Sequence, residues 1–314
     1  ALMTLAILPI ALVYSEISPL FHTAGGELIY NTVGFNRHVG FLASWLIMAA
    51  WISVPPAVVM AIVAFISRTF GLGLTFGHTM IIGIIILVAV FLMSMQDIQF
   101  LVKAQAVCLF ANITTTLLTG VLLLFSGHWS FANVANLFQT NLEPSAGIPG
   151  WIIGMALLIT PFFGFETVPQ MVEEGDFPTS NTKKAICGSV LTCGTIYVFF
   201  FCVAGLDSFQ TLLSGDAQNG FMTITAMQNL LGWKIWPLIY GCVSILMGMT
   251  ASILGFWMST ARMLYSMGKK NFLPEIFTKV NSHQQPILPN LFLLGISLTF
   301  ILLQNATTFM NDFF

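Results

Sequence analysis

Charge is what this sequence has least of, since only 7% of its 314 residues are Asp, Glu, Lys or Arg. An ordinary soluble domain carries about 25% charged residues, whereas this chain is 57% hydrophobic with a mean hydropathy of +0.89. The formal net charge is −2, and neither a basic nor an acidic tail is present. The composition therefore excludes a soluble globular domain, gives no reason to expect a nucleic-acid partner, and predicts an integral membrane protein.

Motifs for metal binding and for hydrolytic chemistry are also lacking. The five cysteines lie in apolar segments without a CxxC pair, which is typical of small core residues. The five histidines share no common spacing, and the sequence contains neither HExxH nor GxSxG. We therefore expect neither an enzyme nor a bound cofactor or metal.

What the sequence does have is a series of long apolar stretches separated by charged residues. A helix needs roughly 20 apolar residues to cross a bilayer, and eight stretches meet or approach this length. They predict one transmembrane domain over 1–314, with helices at about 1–21, 38–68, 77–96, 99–127, 149–174, 182–206, 233–268 and 286–304. Because the chain starts with Ala1 inside an apolar run, without the features of a signal peptide, we expect a fragment that lacks an N-terminal part.

The positions of lysine and arginine predict the orientation of these helices. Eight of the ten basic residues fall on connections at one side of the membrane, and two fall on the other side. Because cytoplasmic loops of membrane proteins carry the excess of Lys and Arg, the side with eight is predicted to be cytoplasmic. The first residue is therefore expected outside. The segments 128–148 and 207–232, which the same count places on that side, are predicted to be external loops.

One predicted span contains residues that a plain bilayer helix avoids. Pro161, Gly164 and Glu166 end a charge-free run that begins near Trp151. A carboxylate in hydrocarbon costs several kcal/mol, and proline removes a backbone hydrogen bond. We predict that helix 149–174 is broken near 161–166, where freed carbonyls and the negative end of a helix dipole can accept a cationic group. A proline kink that serves only helix packing is the alternative.

Two carboxylates are candidates for coupling or gating. Glu166 could take up and release a proton as a cavity opens to either side, and a structural glutamate that binds freed backbone N–H groups is the alternative. Glu16, three residues before Pro19, is expected to be a structural cap or a partner in an inner gate. The acidic residues of 173–176 form a charge cluster with Lys183 and Lys184, which is either a solvated face or a closing salt-bridge network.

Four blocks, in the right order and at the right spacing, resemble amino-acid permeases of the amino acid-polyamine-organocation (APC) superfamily. They are Tyr14–Phe21 with Ala24–Tyr30; Gly40–Trp45; Phe162–Glu166 with Glu173–Pro178 and Lys184–Ile186; and Ser259–Tyr265 with Asn271–Pro274 and Phe277–Val280. The resemblance covers nearly the whole chain. It implies the leucine-transporter fold, an all-α integral membrane bundle of two inverted repeats around a site at the bilayer midplane.

On the register that this resemblance implies, the chain holds helices two to nine. About eight transmembrane helices are then present, and the first and last helices of the core are missing. The family match implies that the carbonyls of Thr160 and Phe163, in the segment that also contains Phe162 and Gly164, hold the substrate amine. It also puts pocket positions near Ile47 on the third helix and Phe256 on the eighth, with ordinary packing between helices as the alternative.

The function that the resemblance implies is that of a secondary active transporter. Such a permease would move amino acids by alternating access, with the substrate amine held at 160–166. A polyamine or organic-amine exchanger and a non-transporting membrane scaffold subunit remain alternatives. Its partners would be an amino acid or related amine, the lipid bilayer, and a proton or sodium ion in symport or antiport. We expect a multi-pass protein of the cell membrane, plasma or inner.

Overall fold

The computed structural model describes residues 2–21, 25–127, 152, 159–172, 179–203, 231–233 and 235–303. Within these ranges the regular structure is helical, and an isolated antiparallel bridge pairs Val280 with Pro286. The α-helices are α1 (Leu2–Ile17), α2 (Gly26–Gly34), α3 (Arg37–Thr69), α4 (Phe76–Ser94), α5 (Ile98–Leu124), α6 (Thr179–Tyr197), α7 (Ile235–Gly241), α8 (Met249–Lys269) and α9 (Ile287–Leu303). Short 3-10 helices span Ser18–Leu20, Thr160–Phe162, Phe165–Gln170 and Glu275–Thr278, and π-helices span Val198–Val203 and Cys242–Gly248.

Five helical stretches of the described residues are long and apolar enough to cross a membrane. They are Leu2–Leu20, Arg37–Ser67, Gly77–Ser94, Ile98–Leu124 and Ile235–Lys269, and α9 is a shorter apolar helix. The predicted loop 128–148, most of the loop 207–232 and parts of the spans 149–174 and 182–206 lie outside the described residues. The prediction of an all-α, multi-pass integral membrane protein is confirmed.

The chain divides into two compact units that alternate along the sequence. The first comprises residues 1–16, 110–166 and 183–244, and the second comprises 17–109, 167–182 and 245–314. The segment 160–166 therefore belongs to the first unit, together with Glu16 and α6 from Lys183 onwards. The predicted pocket positions Ile47 and Phe256 belong to the second.

In the first unit, glycines let neighbouring helices approach closely. A Cβ added to Gly194 of α6 would lie 2.3 Å from the Thr4 Cγ2 atom of α1, and one added to Gly120 of α5 would lie 2.5 Å from the Phe199 ring. Trp236 of α7 adds a polar contact, because its Nε1 donates to the Thr119 hydroxyl at 3.0 Å. Small residues at such positions are typical of helix packing in membranes.

In the second unit, α3 packs against α2, α4, α8 and α9. Most side chains in the second half of α8 are buried, and Trp257 is the largest of those that are fully buried. Its Nε1 donates to the Asn290 Oδ1 of α9 at 2.7 Å, and the Ser94 hydroxyl at the end of α4 donates to the same oxygen at 3.1 Å. Three helices thus share one buried acceptor, which satisfies polar groups that would be costly to leave unpaired.

Candidate functional site

The α-helical pattern is interrupted in the segment 160–166. A 3-10 helix covers Thr160–Phe162, a turn contains Gly164, and a second 3-10 helix covers Phe165–Gln170. The φ angle of Gly164 is +126°. L side chains rarely adopt this backbone conformation, so the sequence needs a glycine at this position.

The Glu166 side chain folds back onto this turn. Its Oε2 accepts a hydrogen bond from the Gly164 N–H at 2.8 Å, and the residue is only 7% exposed. The carboxylate therefore binds a backbone donor at the interruption, which is the contact expected of a structural glutamate. The coupling role of Glu166 stays a prediction.

Aromatic side chains attach the interrupted segment to α6 and α1 of the same unit. The Tyr197 hydroxyl donates to the carbonyl oxygen of Pro161 at 2.8 Å, and its ring meets that of Phe162 edge-on, with centroids 5.4 Å apart. Phe165 makes a similar edge contact with Tyr14, with centroids 5.8 Å apart. Sequence reasoning did not identify the two tyrosines. The sequence feature that could have identified them is a tyrosine within an apolar run, because a buried tyrosine hydroxyl needs a hydrogen-bond partner.

The two phenylalanines of the predicted substrate site have different environments. Phe162 is buried against Tyr197, whereas the Phe163 side chain is 46% exposed. Phe162 thus contributes packing to the turn. The Pro161 carbonyl, which follows Thr160 and precedes Phe163 by two positions, is already bound by Tyr197. The role of the Thr160 and Phe163 carbonyls in binding an amine stays a prediction.

Ile47 and Phe256 come together in the second unit. Both pack against one apolar cluster of buried residues, which consists of Leu28, Trp51, Met263 and Met267. This is the contact expected if they serve helix packing. A role of Ile47 and Phe256 in substrate selection stays a prediction.

Glu16 forms an ion pair that the sequence did not predict. Its Oε2 lies 2.7 Å from the Lys183 Nζ of α6, and both side chains are exposed. The acidic residues 173–176, which we expected near Lys183, lie outside the described residues. An exposed pair of this kind contributes little to stability, so its interest lies in the two elements that it connects, the end of α1 and the start of α6.

Sequence reasoning missed a buried polar pair in the second unit. The Gln170 Nε2 donates to the Glu27 Oε2, although the two residues are 143 positions apart. Glu27 is 5% exposed and lies in the first turn of α2, where the helix dipole favours a negative charge. Burial raises the pKa of the nearby Tyr30 to about 12; a hydrogen bond with Ser18 lowers this pKa, and the Glu27 charge raises it.

The chain matches a known protein family over its whole length, residues 1–314, and that family is described as amino acid permease. It is 25% identical over 293 residues to a glutamate/serine transporter of Bacillus subtilis, covering 88% of this chain and 53% of the relative. It is 21% identical over 305 residues to a branched-chain amino acid permease of Lactococcus lactis, covering 88% and 61%. It is 22% identical over 318 residues to Asc-type amino acid transporter 1 of Homo sapiens, covering 96% and 57%.

The chain thus spans about half the length of the curated relatives it matches. Both the family and these relatives are permeases or transporters, which confirms the prediction that the protein is not an enzyme. The resemblance drawn from the four sequence blocks is confirmed as well. The chain belongs to the amino acid permease family.

Proposed function

We propose that the full-length protein is a secondary active transporter that moves amino acids across the cell membrane by alternating access. The substrate amine would bind at the helix break 160–166. The observation that carries this proposal is the φ angle of +126° at Gly164, between two short 3-10 helices, in a chain of the amino acid permease family.

The chemistry of the break suits a primary ammonium group. Such a group has three N–H donors and a positive charge, so it needs carbonyl acceptors and a nearby anion. We assign the acceptors to the carbonyls of Thr160 and Phe163, because the family resemblance puts them there. The Pro161 carbonyl already accepts a hydrogen bond from Tyr197. The Glu166 carboxylate, attached to the Gly164 N–H, contributes the negative charge.

We propose a neutral amino acid as the substrate. From the family resemblance, we assign to Ile47 and Phe256 the selection of the substrate's side chain. Both residues have apolar and aromatic neighbours. An apolar wall favours an uncharged side chain, since burying an unpaired charge is costly. The names of the relatives include glutamate/serine, branched-chain and Asc-type transport, so these relatives do not point to one common substrate.

Coupling and gating are assigned to the two carboxylates. Glu166 would respond to the substrate amine or to a proton, because it contacts the backbone of the turn that we propose as the binding site. Glu16 and Lys183 would form an ion pair of the inner gate, which opens when α1 and α6 separate. Proton symport, sodium symport and exchange of one substrate for another are all compatible with these groups.

Uptake into proteoliposomes tests the proposal. The full-length protein would be reconstituted and supplied with a panel of labelled neutral, acidic and cationic amino acids and a polyamine, with protein-free liposomes as the control. We expect saturable uptake or exchange of at least one neutral amino acid. If no compound shows saturable uptake or exchange, the protein is a non-transporting subunit, and if only the polyamine does, the substrate assignment is wrong.

A further inference from the structure

A cleft of about 230 Å³ lies in the second unit, between α2, the start of α3 and the segment that follows α8. Its apolar wall includes Leu28, Ile29 and Val33 of α2, and its rim carries Arg37 and Lys270. No acidic residue is among the described residues that line it. Among the described residues, the lining of the cleft therefore combines an apolar surface with two positive charges and no negative one.

Arg37 is held in a defined orientation at the rim. Its Nη2 atom donates to the carbonyl oxygen of Asn271 at 2.6 Å and to that of Lys270 at 3.4 Å, and its guanidinium lies 4.4 Å from the ring centroid of Phe272. Phe272 itself stacks on Phe41, with centroids 5.7 Å apart. Both hydrogen bonds use Nη2, and the described residues offer no hydrogen-bond acceptor to the N–H groups on Nε and Nη1, so either group can donate to an anion.

Both cations lie at the ends of membrane-length helices. Arg37 begins the stretch Arg37–Ser67, and Lys270 directly follows the stretch Ile235–Lys269. The hydrogen bonds from Arg37 to the carbonyls of Lys270 and Asn271 bring these two ends together. The cleft thus lies where the helices leave the hydrocarbon, the depth at which lipid phosphates are found.

We propose that this cleft binds the headgroup of an anionic phospholipid. The phosphate would accept hydrogen bonds from Arg37 and Lys270, and an acyl chain would lie along the apolar wall, where Val33 is 66% exposed. A basic pocket at the membrane surface is the kind of site that binds such headgroups. The guanidinium is always charged and can donate a hydrogen bond to the phosphate from Nε or Nη1, and the Lys270 ammonium can donate another. A small anion alone would leave the apolar wall without a partner.

Lipid binding to the purified, delipidated full-length protein tests this proposal. Native mass spectrometry would compare phosphatidylglycerol with phosphatidylcholine of the same acyl chains, and inorganic phosphate would compete in a separate arm. The variants are Lys270→Gln and Arg37→Gln. Lys279→Gln is the matched control, because Lys279 is an exposed lysine of the same unit that does not line the cleft.

We expect phosphatidylglycerol to bind in preference to phosphatidylcholine. In each cleft variant the concentration of phosphatidylglycerol that gives half-saturation should rise about fivefold, whereas in Lys279→Gln it should stay near the wild-type value. Among the described residues the Lys270 side chain forms no hydrogen bond or ion pair, so Lys270→Gln tests the site even if Arg37→Gln does not fold. Equal weakening by Lys279→Gln would show diffuse attraction and overturn the proposal. Displacement of the lipid by millimolar phosphate would also overturn it, in favour of a site for a small anion.

Discussion

Replacing Gly164 with alanine should destabilise the protein through the backbone alone. The φ angle of this residue is +126°, and a Cβ added there would meet no atom of the described residues within 4 Å. The cost therefore comes from forcing an L residue into a rarely populated conformation, not from a steric clash with neighbours. We expect the free energy of unfolding to fall by about 1–3 kcal/mol.

Gly188→Ala is the matched control for this substitution. Gly188 lies inside α6, in the same unit, and a Cβ added there also meets nothing within 4 Å in the part of the chain that the structure describes. Its backbone does not have a positive φ angle, so alanine suits it better than glycine. This variant should be more stable than wild type by about 0.5–1 kcal/mol. The same added methyl group should thus shift stability in opposite directions at the two sites.

Equilibrium unfolding of the full-length protein in mixed micelles measures both changes. Titration with a denaturing detergent, followed by tryptophan fluorescence, gives the free energy of unfolding of the wild type and of each variant. The reasoning would be refuted if Gly164→Ala were as stable as wild type. It would also be refuted if the two variants shifted in the same direction by similar amounts, because the backbone argument would then not distinguish them.

Three further substitutions test the contacts of the break and the proposed gate. Tyr197→Phe keeps the ring but removes the bond to the Pro161 carbonyl, so the free energy of unfolding should fall by about 0.5–1.5 kcal/mol in the same titration. Glu166→Gln can still accept the backbone N–H and should change stability by less than about 1 kcal/mol. It should alter the pH profile of uptake, and an unchanged rate and profile would remove the proposed proton role. Glu16→Gln breaks an exposed pair with Lys183, so the free energy of unfolding should fall by less than about 1 kcal/mol. The pH profile of uptake should stay unchanged, and a changed profile would mean that Glu16 carries a proton.

The interruption at 160–166 could be predicted because its cause is local. Proline lacks an N–H, and a carboxylate is unfavourable in hydrocarbon, so Pro161, Gly164 and Glu166 give the signal within a few residues of one another. The partner of Glu166 is also local, since the Gly164 N–H lies two positions away. For this reason the sequence already indicated, as one of two alternatives, that Glu166 binds a freed backbone N–H group.

Contacts between distant residues could not be predicted in the same way. Glu27 and Gln170 are 143 positions apart, and Glu16 and Lys183 are 167 apart. Which residues meet depends on the rotation and depth of whole helices, which a single sequence does not specify. The predicted helices do not include α2 for another reason. Its nine residues form a helix too short to cross a bilayer, so the sequence pattern placed them in a connection between two spans.

The central claim is that the break at 160–166 holds the substrate amine. Calorimetric binding to the full-length protein tests it most directly, with the amino acid that shows the fastest uptake compared against its deaminated analogue. Because hydrogen bonds to a charged group contribute about 1.5–3 kcal/mol, the account predicts that the analogue binds at least about tenfold more weakly. An analogue that binds as tightly as the amino acid would contradict the account.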